Sequence, residues 1–374
     1  MHGKRGDIHS CGREDALYQV FWKDKMTDCV AAVRAFRDEV HQTDGIHLAQ
    51  VGTPANLRAE EVRLLKLFGR RHQGARVQVR VLQGGLSGAR VFRVSVLNSA
   101  GAVAIMSVAR IGSFAEIAAE REKYRTEIVK LANGSFPPVT AELSHGAAGF
   151  AGIFYQLVGT EVRTLFDELI ANPRAAAAAA DRLRMDQGTW HGARHVERVR
   201  VAAVRRTLIG DVALRMYNHH LGGIDLAAAE NAEIEVGRCV QHCDLHCGNV
   251  LFDDIGRPMV IDYPDTGGAI ASLDPITLEL STLFHKDAPD RSAWPTTAQA
   301  GQWTDLDAFC AGSPYEPFIR SCRAWAEGVA ASPKEVLAVA YSYALRQLKY
   351  DDTDKALVRA IVSACITKLV EEGG

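Results

Sequence analysis

His242-Cys243-Asp244-Leu245-His246-Cys247-Gly248-Asn249-Val250-Leu251-Phe252, continuing through Asp253-Asp254-Ile255-Gly256 to Pro258-Met259-Val260-Ile261-Asp262, is the stretch that decides the fold. Val250–Phe252 is a β-prone apolar run, 253–256 a turn signal, and 258–261 a returning strand. In an antiparallel hairpin, the residue before the first strand and the residue after the second lie at the same end. Asn249 and Asp262 hold those two positions. The spacing therefore predicts an amide oxygen and a carboxylate at one point, with Asp244 on the loop leading in.

Mg²⁺ is hard, prefers oxygen, and takes only one or two ligands from protein when phosphates and water supply the rest. Asn249 and Asp262 fit that short list as metal ligands. Asp244 has no evident metal duty and is free to accept the proton of an attacking hydroxyl. His242 is expected to brace the loop by hydrogen bonding. An acid five residues before an amide, then a second acid beyond a hairpin, is the spacing phosphoryl transfer uses to hold a hydroxyl and Mg-ATP together. Any one of these residues alone reads as part of a polar turn. The full set, with the hairpin between its members, reads as catalytic.

The chain has 374 residues, enough for two lobes with ample core. Hydrophobic content of 47% and charged content of 24% are those of an ordinary globular protein. A net charge of −2 gives no global attraction to nucleic acid or an anionic membrane. No run approaches the ~18 apolar residues of a spanning helix. The start, Met1-His2-Gly3-Lys4-Arg5, lacks a signal-peptide core, so a cytoplasmic location without a membrane partner is expected. Cys239, Cys243 and Cys247 recur every four residues around two histidines, which invites zinc. The spacing matches none of the usual Cys-x2-Cys sites, and buried thiols are the expected reading.

Outward from the hairpin, residues 1–56 read as an N-terminal extension of unassigned role, with a helix near 31–40. Leu57 to Arg71 reads as an amphipathic helix burying Leu57, Glu61, Leu64, Leu65 and Phe68. Alternation at Val77, Val79 and Val81, and again at Phe92, Val94 and Val96, predicts two strands; a third lies near 102–111. Between the first two, Gly84-Gly85-Leu86-Ser87-Gly88 is a turn whose backbone amides could approach phosphate without hindrance from Cβ. No Gly-Lys-Ser/Thr follows, so it is not a Walker loop.

Ser113 and Glu116 form a capping box opening a helix with Ile117, Tyr124, Ile128 and Leu131 on one stripe. Glu120 falls on that stripe, and a buried carboxylate needs a cation; the nearest upstream is Arg110, at the end of the third strand. Strands near 139–143 and 153–157 close this segment. The rest reads as helical apart from the hairpin: Pro173 to Met185 with six consecutive alanines, one long helix from Val196 to Leu221, and a helix from Ser332-Pro333 to about Lys349. Arg194, Arg198, Arg200, Arg205, Arg206 and Arg215 crowd the helical stretch 194–215. If some line the site, an anionic acceptor or a nucleic-acid phosphate is favoured over a polycation.

His242-x-Asp244-Leu245-His246-x-Gly248-Asn249-Val250-Leu251, with Ile261-Asp262-Tyr263, resembles the aminoglycoside phosphotransferase and choline kinase family. The Gly84–Ala89 start, with Leu273-Asp274-Pro275 and Leu278-Glu279-Leu280, resembles a bacterial ternary-complex-associated phosphotransferase-like subgroup. The resemblance implies an α+β, two-lobed protein-kinase-like fold: a small antiparallel sheet lobe with one helix (57–158) and a larger, mainly helical lobe (159–374). It implies ATP and Mg²⁺ as cofactors and a small-molecule hydroxyl as acceptor, with Asp244 as base and Asn249 and Asp262 as metal ligands. It further implies that Gly84, Gly85, Ser87 and Gly88 cover the phosphates, that Gln156 and Val158 flank adenine, and that Glu120 is the helix acid. The departure is on the third strand. The family usually has lysine there, whereas this chain offers Arg110, or Ala109 if the register is shifted by one. Arginine keeps the charge but is no neutral replacement. A catalytically quiet ATP-binding module is therefore the alternative, together with a protein kinase of a bacterial signalling or defence system. The short segment from Asp262 to Glu279 argues against the last.

Overall fold

The alternating valines do build the first sheet. In a computed structural model, which describes residues 25–82, 89–144, 146–157, 163–289, 291 and 293–371, the chain divides into two units. One comprises Met1–Glu122 with Pro137–Leu157; the other comprises Lys123–Phe136 with Val158–Gly374.

The first unit is a six-stranded sheet formed by β1 (His47–Gln50), β2 (Arg76–Leu82), β3 (Arg90–Leu97), β4 (Val103–Ser113), β5 (Val139–Leu143) and β6 (Phe150–Gln156). Their order is β1-β2-β3-β4-β6-β5. The pairings from β2 onward are antiparallel, as expected, but β1 adds a parallel edge strand to β2 from within the segment read as an extension. Two helices, α1 (Met26–Asp44) and α2 (Ala59–Arg71), precede the antiparallel strands, and α3 (Phe114–Thr126) follows β4.

Burial of α2 explains why this face is dry. Leu64, Leu65 and Phe68 pack on Val77, Val79, Phe92, Val94 and Val96, with Phe68 stacked on Phe154 at 4.1 Å. Gly69 permits the approach, because a Cβ there would collide with Val77. Glu61, buried on the same helix, accepts on Oε2 from Arg58 N and Arg90 Nη1, both at 2.8 Å.

The second unit is mainly helical. Its Leu273–Phe284 helix is buried at every residue, and Pro173–Asp186 lays Ala176, Ala179, Ala180 and Leu183 in the core. Small residues let that helix pack closely. A buried ion pair from Glu279 to Arg323, 2.7 Å, is capped by Trp303, whose indole N–H donates to Glu279 at 2.7 Å. Among the described residues no helix is long and apolar enough to cross a membrane.

Two expectations for this unit are overturned. The hairpin is not its only β structure: besides the expected β10 (Val250–Phe252) and β11 (Pro258–Val260) it holds β7 (Arg163–Thr164), β8 (His195–Arg200), β9 (Glu233–Gln241) and β12 (Gly267–Ile270), in two sheets ordered β11-β10-β7 and β12-β9-β8. Nor is Val196–Leu221 one helix. His195–Arg200 pairs antiparallel with Glu233–Arg238; the chain then forms a helix over Val201–Leu208, breaks at Gly210, and resumes at Asp211–Tyr217.

Backbone pairing with β9 makes the exchange, and cross-strand charge accompanies it. Arg198 meets Glu233 at 3.3 Å and Arg238 meets Glu197, pairs that exist only once β8 and β9 align. The expected basic helix 194–215 consequently dissolves as a single face. Arg205 is buried between Glu230 (2.8 Å) and Asp211 (2.6 Å), Arg206 also holds Asp211, and Arg194 is bound to the carbonyls of Val329 and Ala330.

Candidate active site

In the second unit, β9 runs directly into the loop, and its last residue begins the support. Gln241 Oε1 accepts from Asp274 N at 3.1 Å. Asp274, fully buried at the start of its helix, in turn accepts from His242 N (2.7 Å) and Cys243 N (2.9 Å), one on each oxygen. Burial pushes the Asp274 carboxyl up to about 6, against the pull of His242 and of those two amides. Cys243 then takes a left-handed conformation (φ +69°), which reverses the chain.

His242 braces the loop: its Nε2 lies 3.0 Å from Ile261 O, tying the loop's start to the hairpin's end. Asp244 follows, one-third exposed, and its backbone carbonyl accepts from His246 N and from the Asn249 side-chain amide, both at 2.9 Å. That bond fixes the orientation of the Asn249 amide. Its nitrogen is spent on a carbonyl, so its oxygen is the end left for a cation.

The hairpin has the predicted register. Val250 pairs with Val260 and Phe252 with Pro258; one further bond, Ile261 N to Asn249 O at 3.0 Å, extends the ladder to the base. Asp262 leaves that base in a left-handed conformation of its own (φ +69°), a strain that persists only where surroundings impose it. Asn249 and Asp262 therefore share one end of the hairpin, as an amide oxygen and a carboxylate. Two hard oxygen donors suit Mg²⁺ completed by phosphates and water. Among the described residues no group of three or more His, Cys, Asp or Glu side chains is placed to hold a metal. Burial pushes Cys239 up to about 11 and Cys243 and Cys247 to about 12, and Cys247 packs against Ser281 and Leu278 O.

In the first unit the register of β4 assigns its faces. Ala109 is fully buried on the α2 side, whereas Arg110, opposite Ile153, lies on the other face with its Nε 2.9 Å from Glu120 Oε2. Tyr155 donates its hydroxyl to Glu120 Oε1 at 2.5 Å, so both carboxylate oxygens are engaged. The pair anticipated between Arg110 and Glu120 thus exists as a buried ion pair. Gln156 ends β6 with its side chain exposed and its N–H on Pro138 O; Leu157 N is on Met106 O. Gly84, Gly85, Ser87, Gly88 and Val158 lie outside the described residues.

Sequence reasoning missed most of the support. Asp274 was visible as a carboxylate inside the apolar run 270–280, a position that demands partners. Glu335 was legible only as a helix-start residue. It instead accepts from Gly237 N (2.7 Å), Ala331 N (2.7 Å), Ser272 N (3.1 Å) and Ser272 Oγ (2.9 Å). Arg346, 3.9 Å from Asp244, carries no local signal at all.

Residues 74–186, less than a third of the chain, match the family model described as ternary complex associated domain 9. Among solved structures, the chain is similar to the aminoglycoside phosphotransferase APH(4)-Ia (16% identity, 79% of this chain and 97% of that one, TM-score 0.43). It is also similar to ADP-bound APH(2'')-Ib (13%, 84% and 97%, TM-score 0.44) and to an ethanolamine kinase from Plasmodium vivax (11%, 84% and 92%, TM-score 0.42). No curated protein matches. The narrower resemblance, to a ternary-complex-associated subgroup, coincides with the matching family model.

Proposed function

We propose that this chain is an ATP- and Mg²⁺-dependent phosphotransferase acting on a hydroxyl of a small molecule, with Asp244 as base. One observation carries it: the hairpin brings Asn249 and Asp262 to one end, while the Asn249 amide nitrogen holds the carbonyl of Asp244 itself. Base and metal ligands thereby belong to one loop-and-hairpin element. Asn249 and Asp262 hold Mg²⁺, which when bound neutralises charge on the phosphates. Asp244 accepts the acceptor's hydroxyl proton, and His242 keeps the loop against the hairpin. Arg110, oriented by Glu120, supplies the cation for the ATP phosphates; Gly84, Gly85, Ser87 and Gly88 cover them, and Gln156 and Val158 flank adenine.

Asp244→Ala is expected to lower acceptor-dependent ADP formation by about 10²–10⁴-fold, the usual worth of a general base, while calorimetric Mg-ATP affinity stays within a few fold. Normal transfer by that variant sinks the proposal. A second reading, a catalytically quiet ATP-binding module, is favoured by one observation: arginine stands at the third-strand position. It predicts a thermal shift with Mg-ATP and no ADP with any acceptor. Higher turnover in Arg110→Lys would put that position in the site and remove the quiet module.

A further inference from the structure

The phosphotransferase reading leaves the acceptor open, and the surroundings of Asp244 narrow it. Two side chains approach its carboxylate, one at each oxygen: Arg346 Nη2 is 3.9 Å from Oδ1, and His246 Nε2 is 3.9 Å from Oδ2. Neither distance is a hydrogen bond, so a hydroxyl can still reach the carboxylate. His246 takes the neutral form, because its Nδ1 accepts from Gly248 N at 3.1 Å. His285, tilted against it with ring centroids 4.3 Å apart, also turns Nδ1 to a backbone donor, Asp287 N at 3.2 Å. The Asp287 side chain is mostly in solvent, and Arg291 nearby is spent on Asp352 at 3.0 Å.

Arg346 is therefore the one permanent cation within 4 Å of Asp244 among the described residues. It stands in the last turn of the Pro333–Gln347 helix, a position that suits a cation for the helix's own sake. Its side chain, however, is only 21% exposed, and the approach to Asp244 is its nearest ionic contact. A planar fork of five N–H donors, held beside the base at a distance too long to bond it, is a receptor for a carboxylate or phosphate.

We propose that Arg346 selects the acceptor: the hydroxyl presented to Asp244 belongs to a small molecule carrying an anionic group, a carboxylate or a phosphate, that docks on this guanidinium. The proposal rests on the phosphotransferase reading above. In the step, the acceptor O–H bond breaks and its proton passes to Asp244. The acceptor oxygen bonds the γ-phosphorus while the bond from that phosphorus to the β,γ-bridging oxygen breaks, and ADP leaves with that electron pair. Arg346 takes no part in bond making and is a specificity residue, and a cationic acceptor would be repelled from the same spot.

The test uses the full chain with Mg-ATP and matched acceptors: glycerate and glycerol 3-phosphate as the two anionic arms, glycerol as the neutral isostere, ethanolamine and an aminoglycoside as cations. ADP release and product mass are followed for the native chain, Arg346→Met and Arg346→Lys, and Mg-ATP affinity is measured separately by calorimetry. The expected result is a kcat/KM at least tenfold higher for one anionic arm than for glycerol. Arg346→Met erases that gap by raising the acceptor KM with the KM for ATP unchanged, and Arg346→Lys falls between. The two arms tell carboxylate from phosphate. Equal or better service of neutral or cationic acceptors overturns the proposal and leaves the phosphotransferase reading intact. A rise in the KM for ATP alone also overturns it, since the guanidinium then serves the nucleotide. ADP from no acceptor, with Mg-ATP still bound, overturns both.

Discussion

Two buried carboxylate clusters, one in each unit, are held by opposite means. In the sheet unit Glu120 is met by side chains, the guanidinium of Arg110 and the hydroxyl of Tyr155. In the helical unit Asp274 and Glu335 are met almost wholly by backbone N–H groups, at His242 and Cys243 for the first and at Gly237, Ser272 and Ala331 for the second. A side-chain partner depends on which residue stands opposite, so it can be tuned or lost by one substitution. A backbone donor is present whatever the residue, so the loop's shape is fixed independently of the groups it displays. Orientation of a cation is adjustable in one unit, while in the other the frame that presents Asp244, Asn249 and Asp262 is set by the main chain.

That contrast can be broken by mutation. The largest effect is expected from Glu120→Ala, which strands Arg110 in a buried site; losing one partner of a buried pair costs about 3–5 kcal/mol. Thermal melting and denaturant midpoints measure it, and replacing both partners with apolar residues should recover most of the loss. Asp274→Ala should cost less stability, about 2–4 kcal/mol for two orphaned amides, but should lower turnover as well, because the loop bearing Asp244 loses its tether. If the two variants lose stability and activity in the same proportion, the distinction fails.

The pH dependence of Asp274 sharpens the comparison further. Its carboxyl rises from 3.8 in the free side chain to about 6 in the folded protein, so the folded state binds the proton more readily. Its contribution to folding is therefore greatest below about pH 4 and is lost as pH rises through about 6. The difference in unfolding free energy between the native chain and Asp274→Asn should accordingly shrink across that window and stay flat above it. The smallest effect is expected from Ser332→Ala. This removes the hydroxyl that caps the Pro333–Gln347 helix and donates to Glu235 O at 2.7 Å, at a cost of about 1 kcal/mol in a denaturant titration.

Period and punctuation made much of the fold legible. Alternating valines marked β2 and β3, the Ser113–Glu116 box marked the start of α3 to the residue, and the turn 253–256 set the hairpin register on which Asn249 and Asp262 depend. β8 was misread because Val196 to Leu221 contains neither glycine nor proline before Gly210. Its strand character comes from pairing with β9, some forty residues later. A local pattern cannot report a partner that distance along the chain supplies. The same limit hid Arg346 and the true duty of Glu335.

By itself, the sequence determined which groups converge: a β-hairpin is short-range, so its register, and with it the meeting of Asn249 with Asp262, follows from the spacing of turn and strand residues. It also determined that a buried Glu120 must find a cation, because an unpaired buried charge is too costly to persist. The tertiary structure alone decided which face of β4 carries Arg110, what clamps the loop from below, and what stands beside Asp244. Each of these is set by residues 10 to 102 positions away along the chain, brought near by burial of apolar surface that is indifferent to the polar groups it carries along.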